Sequence, residues 1–506
     1  MPFQLSLLST SPAPIWQWLS LDVLLHITLF MLVCLHCLRT RREATSSLLW
    51  IFVAWSFPLI GPLLFLMIGI NRVPRKGWHK QRSNQEFLAA RQAREDEQLP
   101  MAYWRAVHES LATEPKEPFA RELNRVMNNI LPDYPLLGGN QIQPLVTGDE
   151  AFPRMLEAIG RAQHHIHFQT FIIRDDAVGR EFLDLLVQKA REGVAVRFMF
   201  DRFGSTGAML GRLFSKYKNI PNMQFSGWTQ VNALKRTFQI NLRNHRKVLV
   251  IDGHEAFTGG INLHVENVSR AEGLPIRDYH FSVRGPIVQE LQYSFLRDWY
   301  FMTNDDPEIL LQQAHFPHIP ATGTALVRVA NGGPTSEETD LMCDTFFECL
   351  VSAQRQIFAV TPYFVPTHDI FHAFRLAALR GVDVRLIVPQ HNNHVYAGMA
   401  GRALYEDLLI AGVRIFERHP PFMHAKALVI DDTLALVGSA NLDVRSLRLN
   451  YETNLIVFDD TFVSSLKQIV LQDIADSNEL NMAEWQRRPT SRQMLENFCN
   501  LLTPVL

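Results

Sequence analysis

Two short stretches of the chain carry the same reactive residues at the same intervals. His245, Lys247 and Asp252 stand in NHRKVLVIDGHEAFTGGIN, and His424, Lys426 and Asp431 stand in MHAKALVIDDTLALVGSAN. In each, His is followed after one residue by Lys, after four more by Asp, and after six more by two small residues that lead to Asn262 or Asn441. This is equipment for a phosphodiester. Ammonium groups and amide donors stabilise the charge that spreads over phosphate oxygens, so no metal and no cofactor is required. A neutral imidazole can attack phosphorus, and a protonated one can supply the leaving group's proton. One copy provides one imidazole and a full cycle needs two, which gives the duplication a physical reason.

The roles follow from residue type. His245, Lys247, His424 and Lys426 are the reacting and charge-bearing groups of the catalytic set. Its remaining members, Asp252 and Asp431, follow an apolar run and precede a turn, where Asp serves as a turn or capping residue. Asn262, Ser439 and Asn441 are the expected phosphate-binding donors; Gly260 replaces the hydroxyl of Ser439 in the first copy. Two further carboxylates precede apolar strands: Asp278 in PIRDYHFSVRGPIV and Glu452 in RSLRLNYETNLIVFDD. A carboxylate on an imidazole N–H fixes the tautomer and stabilises the imidazolium. Asp278 is expected to orient His245, and Glu452 to orient His424.

Position depends on the elements beneath. Residues two apart on a strand share a face, so each His–Lys pair looks into one cleft. Val248 to Ile251 and Ala427 to Ile430 are apolar and partly β-branched, as buried strands are. Upstream, helix and strand patterns alternate twice. Phe152 to Ala162, His165 to Ile173, Gly179 to Glu192 and Ala195 to Asp201 are matched by Leu341 to Ala353, Gln356 to Tyr363, His368 to Arg380 and Asp383 to Pro389. The segments AREGVAVRFMF and ALRGVDVRLIV superpose directly. Alternation of this kind predicts an α/β fold with mixed, mainly parallel sheets flanked by helices. The duplication predicts two similar sheets that meet about a pseudo-twofold axis, with the motifs at the seam.

The doubled HxK(x)4D(x)6G-G/S-x-N pattern resembles the phospholipase D superfamily. With TPYFVP (361–366), RGVDVR (380–385) and NLDVRSLRLNYE (441–452), the layout is similar to bacterial cardiolipin synthases of the two-motif type. The resemblance implies two homologous phospholipase D-like domains, a phosphohistidine intermediate on His245, and transfer of a phosphatidyl group between two phosphatidylglycerol molecules. It leaves hydrolytic phospholipase D activity, and phosphatidylethanolamine as donor, as alternatives.

At 506 residues the chain has room for several domains. The expected division is a membrane hairpin at 1–72, a charged connector at 73–135, a first phospholipase D-like domain at 136–315 and a second at 316–506. The formal net charge of −2 offers no basic field for nucleic acid. Five cysteines do not make a disulfide framework. Residues 48–70 carry no charge, and a bilayer takes roughly 20 apolar residues to span. Residues 15–38 are similar but include Asp22, His26 and His36. Together they predict a transmembrane helical hairpin kinked at Pro58, Gly61 and Pro62. Arg72, Arg75, Lys76, Lys80 and Arg82 follow it, against Arg39, Arg41 and Arg42 in its turn. The bias predicts a multi-pass protein of the bacterial inner membrane, embedded among its phospholipid partners, with the catalytic domains on the cytoplasmic face. The segment with Leu234, Lys235, Arg236, Phe238, Ile240, Leu242 and Arg243 could touch anionic headgroups. The apolar tail, Leu495, Phe498, Leu501, Leu502, Val505 and Leu506, could lie at the interface or pack on the second domain. The sequence sets no oligomeric state.

Overall fold

The computed structural model describes residues 21–39, 44–69, 73–97, 114–217, 219–228, 243–269, 275–335, 338 and 340–501. Arg41, Arg42 and Arg72, the start of the first expected span, the segment from Leu234 to Leu242 and the tail beyond Leu501 lie outside them. The chain divides into two compact units, Met1–Pro74 and Arg75–Leu506.

In the first unit, α1 (Leu21–Arg39) packs on α2 (Ala44–Ser56) through a small cluster of Val33, Cys37, Ala54 and Phe65. The uninterrupted run of residues 48–70 does not become one helix. Pro58 stops α2 at Ser56, and the chain restarts as α3 (Ile60–Leu64), which passes into a π-turn at Phe65–Gly69. Among the described residues no helix is long and apolar enough to cross a membrane.

In the second unit, fifteen strands form one continuous sheet. The first half supplies β1 (Leu137–Val146), β2 (His165–Thr170), β3 (Ala195–Asp201), β4 (Met223–Trp228), β5 (Val248–Ile251), β6 (Glu255–Gly259) and β7 (Tyr279–Arg284). The second supplies β8 (Ala325–Gly332), β9 (Gln356–Val360), β10 (Asp383–Pro389), β11 (Arg414–Arg418), β12 (Ala427–Ile430), β13 (Leu434–Gly438), β14 (Glu452–Phe458) and β15 (Ser477–Glu479). Outward from the central pair the order is β1-β7-β6-β5-β2-β3-β4 on one side and β8-β14-β13-β12-β9-β10-β11 on the other, with β15 at that edge. The two halves are thus the same arrangement repeated, joined edge to edge through the irregular β1–β8 pair. They share one sheet instead of meeting as two.

The strand directions correct a second expectation. Only β2–β3, β3–β4, β9–β10 and β10–β11 run parallel. The strands that carry and support the motifs are antiparallel. The reason is connection length. β5–β6 and β12–β13 are joined by tight turns, which reverse the chain, and only strands joined through a long crossover can run parallel. Those crossovers are α6 (Thr147–Arg161) before β2 and α7 (Ala177–Arg191) between β2 and β3, with α9 (Leu341–Ser352) and α10 (His368–Leu379) in the second half. Their bounds follow the predicted helices closely.

α8 (Val288–Thr303) is buried nearly throughout and packs against β2, β4 and β5. The charged connector sends two helices onto this body. Lys80 and Arg91 of α4 (Val73–Glu97) form ion pairs with Asp298 and Glu290 of α8, and Phe87 stacks on Tyr293. The apolar face of α5 (Pro118–Ile130) meets the second half, where Arg328 of β8 donates to the carbonyls of Leu131 and Tyr134 and to Asn124.

Candidate active site

Each motif histidine sits just before its short strand, β5 or β12, at the junction of the halves. Backbone bridges cross the junction twice. Asn244 pairs with Tyr451, and Met423 with Arg277. His245 N–H donates to Tyr451 O at 2.9 Å, and His424 N–H to Arg277 O at 2.8 Å. The partner residue in each bridge immediately precedes a carboxylate, Glu452 or Asp278. The crossing therefore hands each imidazole the carboxylate of the other half. His245 Nδ1 lies 3.0 Å from Glu452 Oε2, and His424 Nδ1 lies 2.6 Å from Asp278 Oδ2. The sequence expectation paired them the other way. It followed chain order within each half, whereas the crossed pairs are 207 and 146 positions apart.

The second contact of His245 Nδ1 is the Ser439 carbonyl at 3.1 Å, a pure acceptor, so Nδ1 carries the proton and Nε2 keeps its lone pair. The Asp278 carboxylate assigns the same tautomer to His424. Both histidines, with Asn262 and Asn441, line a cavity of about 220 Å³ that also has Phe171, Ile172 and Tyr363 in its walls. Phe171 meets the His245 ring edge-on at 4.8 Å between centroids. The two lysines stand behind the imidazoles. Lys247 Nζ donates to His245 O at 2.6 Å, and Lys426 Nζ lies against His424 O and 2.9 Å from its ring.

Ser439 does not face the cavity. Its hydroxyl is fully buried and donates to Glu452 Oε2 at 2.5 Å while accepting Thr453 N–H. The structure thus places this hydroxyl on Glu452 and not in the cavity, where a phosphate donor was expected. Gly260 has the matching reason: a Cβ there would overlap the Asp278 carboxylate, so that carboxylate stands where a serine side chain would be. Asp252 and Asp431 lie at the far ends of β5 and β12. Both adopt left-handed backbone, with φ of 51° and 50°. Asp252 accepts from the amides of Gln163, His164 and His165, and Asp431 from those of Gln354, Arg355 and Gln356. They tie each motif hairpin to the start of β2 or β9 and touch nothing in the cavity.

The electrostatics of the two halves differ. Burial, reinforced by Lys247 and Lys426, holds His245 well below its ordinary value, and burial with Lys426 lowers His424 to about 3. Burial also brings Lys247 down to about 7 and Lys426 to about 8. Glu452 is pushed up by burial to about 7, against the pull of Lys247. Asp278 feels the same burial, but Lys426 and His424 outweigh it and leave the carboxyl lowered. One imidazole thus faces a carboxyl near its titration point, and the other faces a carboxylate.

Sequence reasoning missed the support behind the first motif. Arg246 lies between His245 and Lys247 and points to the opposite face. It pairs with Asp298 at 2.7 Å and donates to Glu452 O at 3.1 Å. Asp298 also accepts from Gln169 and Asn244, and Lys80 Nζ is 3.0 Å away. The available signal was an arginine out of phase with the motif on a strand that is otherwise buried.

The comparisons with known proteins agree with this geometry. The family model described as "Cardiolipin synthase, PLD-like domain" matches residues 155–299 and 346–474, one block in each half. A second, "Phospholipase_D-nuclease N-terminal", matches residues 28–69. A cardiolipin synthase of Geobacillus kaustophilus is 32% identical over 96% of this chain and 93% of its own length. The chain belongs to the cardiolipin synthase family of phospholipase D-like proteins. Cardiolipin synthase A of Pseudomonas fluorescens, another member, is 33% identical over 94% of this chain and 96% of its own. The phosphatidylserine synthase of Haemophilus influenzae shares the fold, with a TM-score of 0.57 at 17% identity, over 76% of this chain and all of that one. Family membership accounts for the two matched blocks as one duplicated unit, in which both cavity-lining histidines fall.

Proposed function

We propose that this chain is a phosphatidyltransferase that makes cardiolipin and glycerol from two molecules of phosphatidylglycerol, with 136–315 and 316–506 as its two phospholipase D-like domains. The observation that carries the reading is the pair of oppositely derived imidazoles opening on one cavity, each held by a carboxylate of the other half. In the first step, Nε2 of His245 attacks phosphorus and the P–O bond to glycerol breaks. His424 gives its proton to the departing oxygen. In the second, the hydroxyl of another phosphatidylglycerol forms the new P–O bond while the P–N bond breaks. Its electron pair returns to Nε2 of His245, and the hydroxyl proton goes to His424. Lys247, Lys426, Asn262 and Asn441 hold the phosphate oxygens.

The asymmetry of the site supports this division of roles. His424 faces an ionised carboxylate, the partner suited to a ring that repeatedly gains a proton. Burial first and the lysine field second hold both rings neutral; a phosphodiester anion in the cavity opposes the lysine field and favours a proton on His424. Asp252 and Asp431 act through the backbone, and Ser439 acts through Glu452.

The N-terminal unit is read as a membrane anchor built from broken helices, with the catalytic body on the cytoplasmic side of a bacterial inner membrane. The outward display of Leu24, Met31, Leu32, Leu48, Phe52, Trp55 and Leu66 supports this. The deciding experiment uses the purified protein in phosphatidylglycerol vesicles, with products separated by mass. Cardiolipin and glycerol in equal amounts are expected, with both lost in His245→Ala. Phosphatidate without cardiolipin would instead identify a hydrolase.

A further inference from the structure

The catalytic cavity contains more positive charge than the reacting phosphodiester calls for. Beyond the lysines and asparagines already assigned, two arginines line it: Arg243, two residues before His245, and Arg445, in the one-turn helix Val444–Arg448 that follows Asn441. They come from opposite halves, as the histidines do. Arg243 is half-buried. Its guanidinium stacks on Phe203 with Cζ 3.8 Å from the ring centroid, and its Nε is buried with no hydrogen-bond partner. No carboxylate forms an ion pair with it among the described residues. Arg445 repels it, and burial with that repulsion lowers Arg243 to about 10.

Two carboxylates attract the pair, Asp201 both arginines and Asp443 Arg445, and each is also held by hydrogen bonds of its own. Asp201 accepts from the amides of Phe203, Gly204 and Asn244, and burial pushes it up to about 6. Asp443 caps its helix by accepting from Ser446 N–H, and burial raises its carboxyl as well. A guanidinium with no ion-pair partner in a partly desolvated cavity is unfavourable unless an anion joins it, and the like charge of Arg445 adds to that cost for Arg243. The guanidinium fork matches a phosphate in particular.

We propose that Arg243 and Arg445 form a second anion subsite, which takes the phosphate already carried by the acceptor alcohol. The inference rests on the transferase reading above and deepens it. Two residues of chain place Arg243 no more than roughly 7 Å from His245 along the backbone. That is the scale on which a glycerol bridges two phosphates. With its phosphate gripped, the acceptor brings its hydroxyl to the phosphohistidine in the right orientation. Water and free glycerol have no such handle. The subsite is therefore what makes the second step a transfer: binding energy from a non-reacting group positions the reacting one.

The test uses the full chain in phosphatidylglycerol vesicles and reads one ratio, cardiolipin to phosphatidate. In Arg243→Gln and in Arg445→Gln the ratio falls at least tenfold, and Arg243→Lys restores part of it. Both products come from the same folded molecules, so a partly misfolded preparation leaves the ratio intact. Should a variant lose all turnover, the unmodified protein decides. Offered glycerol and glycerol phosphate together as soluble acceptors, it prefers the phosphorylated alcohol severalfold. An unchanged ratio in the variants, or equal use of the two alcohols, overturns the subsite and leaves the transferase reading standing. No cardiolipin from the unmodified protein overturns that reading itself.

Discussion

At the residue scale, the motif is a set of charges held in the wrong medium until substrate arrives. Lys247 and Lys426 titrate near 7 and 8 because burial disfavours their charged forms. Binding a phosphodiester anion requires the ammonium form, so affinity for the donor is full below those values and falls as pH rises through them. The KM for phosphatidylglycerol in mixed micelles should rise by up to about tenfold per pH unit between about pH 7 and 8, and by up to about a hundredfold per unit above that. Binding at pH 8 should also take up protons, measurable as a buffer-dependent heat. The crossed carboxylates make a separate prediction. Asp278→Asn removes the partner of His424, not of His245, and turnover should fall by about 10³-fold or more, as when a triad carboxylate is lost. Brief exposure to labelled donor should leave phosphate on His245 in that variant; label on His424 would reverse the roles. The two histidines that meet at the cavity were legible because the spacing around them is repeated. The pairing was not, because His245 and Glu452 meet only through a bridge between halves. Nor was the duty of Ser439, which depends on where a buried carboxylate stands.

At the scale of elements, the first motif strand is held by a buried polar hub centred on Asp298. Asp298 joins α8 to Arg246 beside the catalytic histidine, to Asn244, and to Lys80 on the connector helix α4. Removing one member of a buried ion pair leaves an uncompensated charge, which costs about 3–5 kcal/mol. Asp298→Asn strands two cations, Lys80 and Arg246, whereas Lys80→Met leaves Arg246 still paired. We expect both to lower the denaturation midpoint, Asp298→Asn by more, and only Asp298→Asn to lower kcat, through the displaced Arg246. Equal stability of Lys80→Met and the parent protein would mean that α4 is only appended. The helix–strand alternation of both halves was readable from periodicity. The strand directions were not, since periodicity marks each strand but not which strand it pairs with. The hub was hidden too: a lone Lys80 in a charged connector carries no sign that it will be buried.

At the scale of the whole molecule, the catalytic body has to meet a lipid surface, and its C-terminal helix offers the means. α12 (Thr490–Leu501) packs on α11 (Val395–Arg402), a helix that begins in the wall of the catalytic cavity. Its inner face is tied down: Glu496 pairs with Arg402, Arg488 and Arg492, and Cys499 is buried. Its outer face shows Met494, Leu495, Phe498 and Leu501 to solvent, and α11 adds Val395 and Tyr396. The described part of the tail thus packs on the second half with one side and presents an apolar ridge with the other. Burying a leucine or phenylalanine in the interface is worth about 1.5–3 kcal/mol, so Leu495→Asp with Phe498→Asp should weaken vesicle binding by at least tenfold. Substrate dispersed in detergent micelles bypasses the bilayer surface, and turnover there should stay near the parent value. Flotation with vesicles, set against micellar kcat, separates the two effects. A parallel loss in both would mean that the ridge supports α11 and the cavity wall, and that the body reaches its lipid by another face.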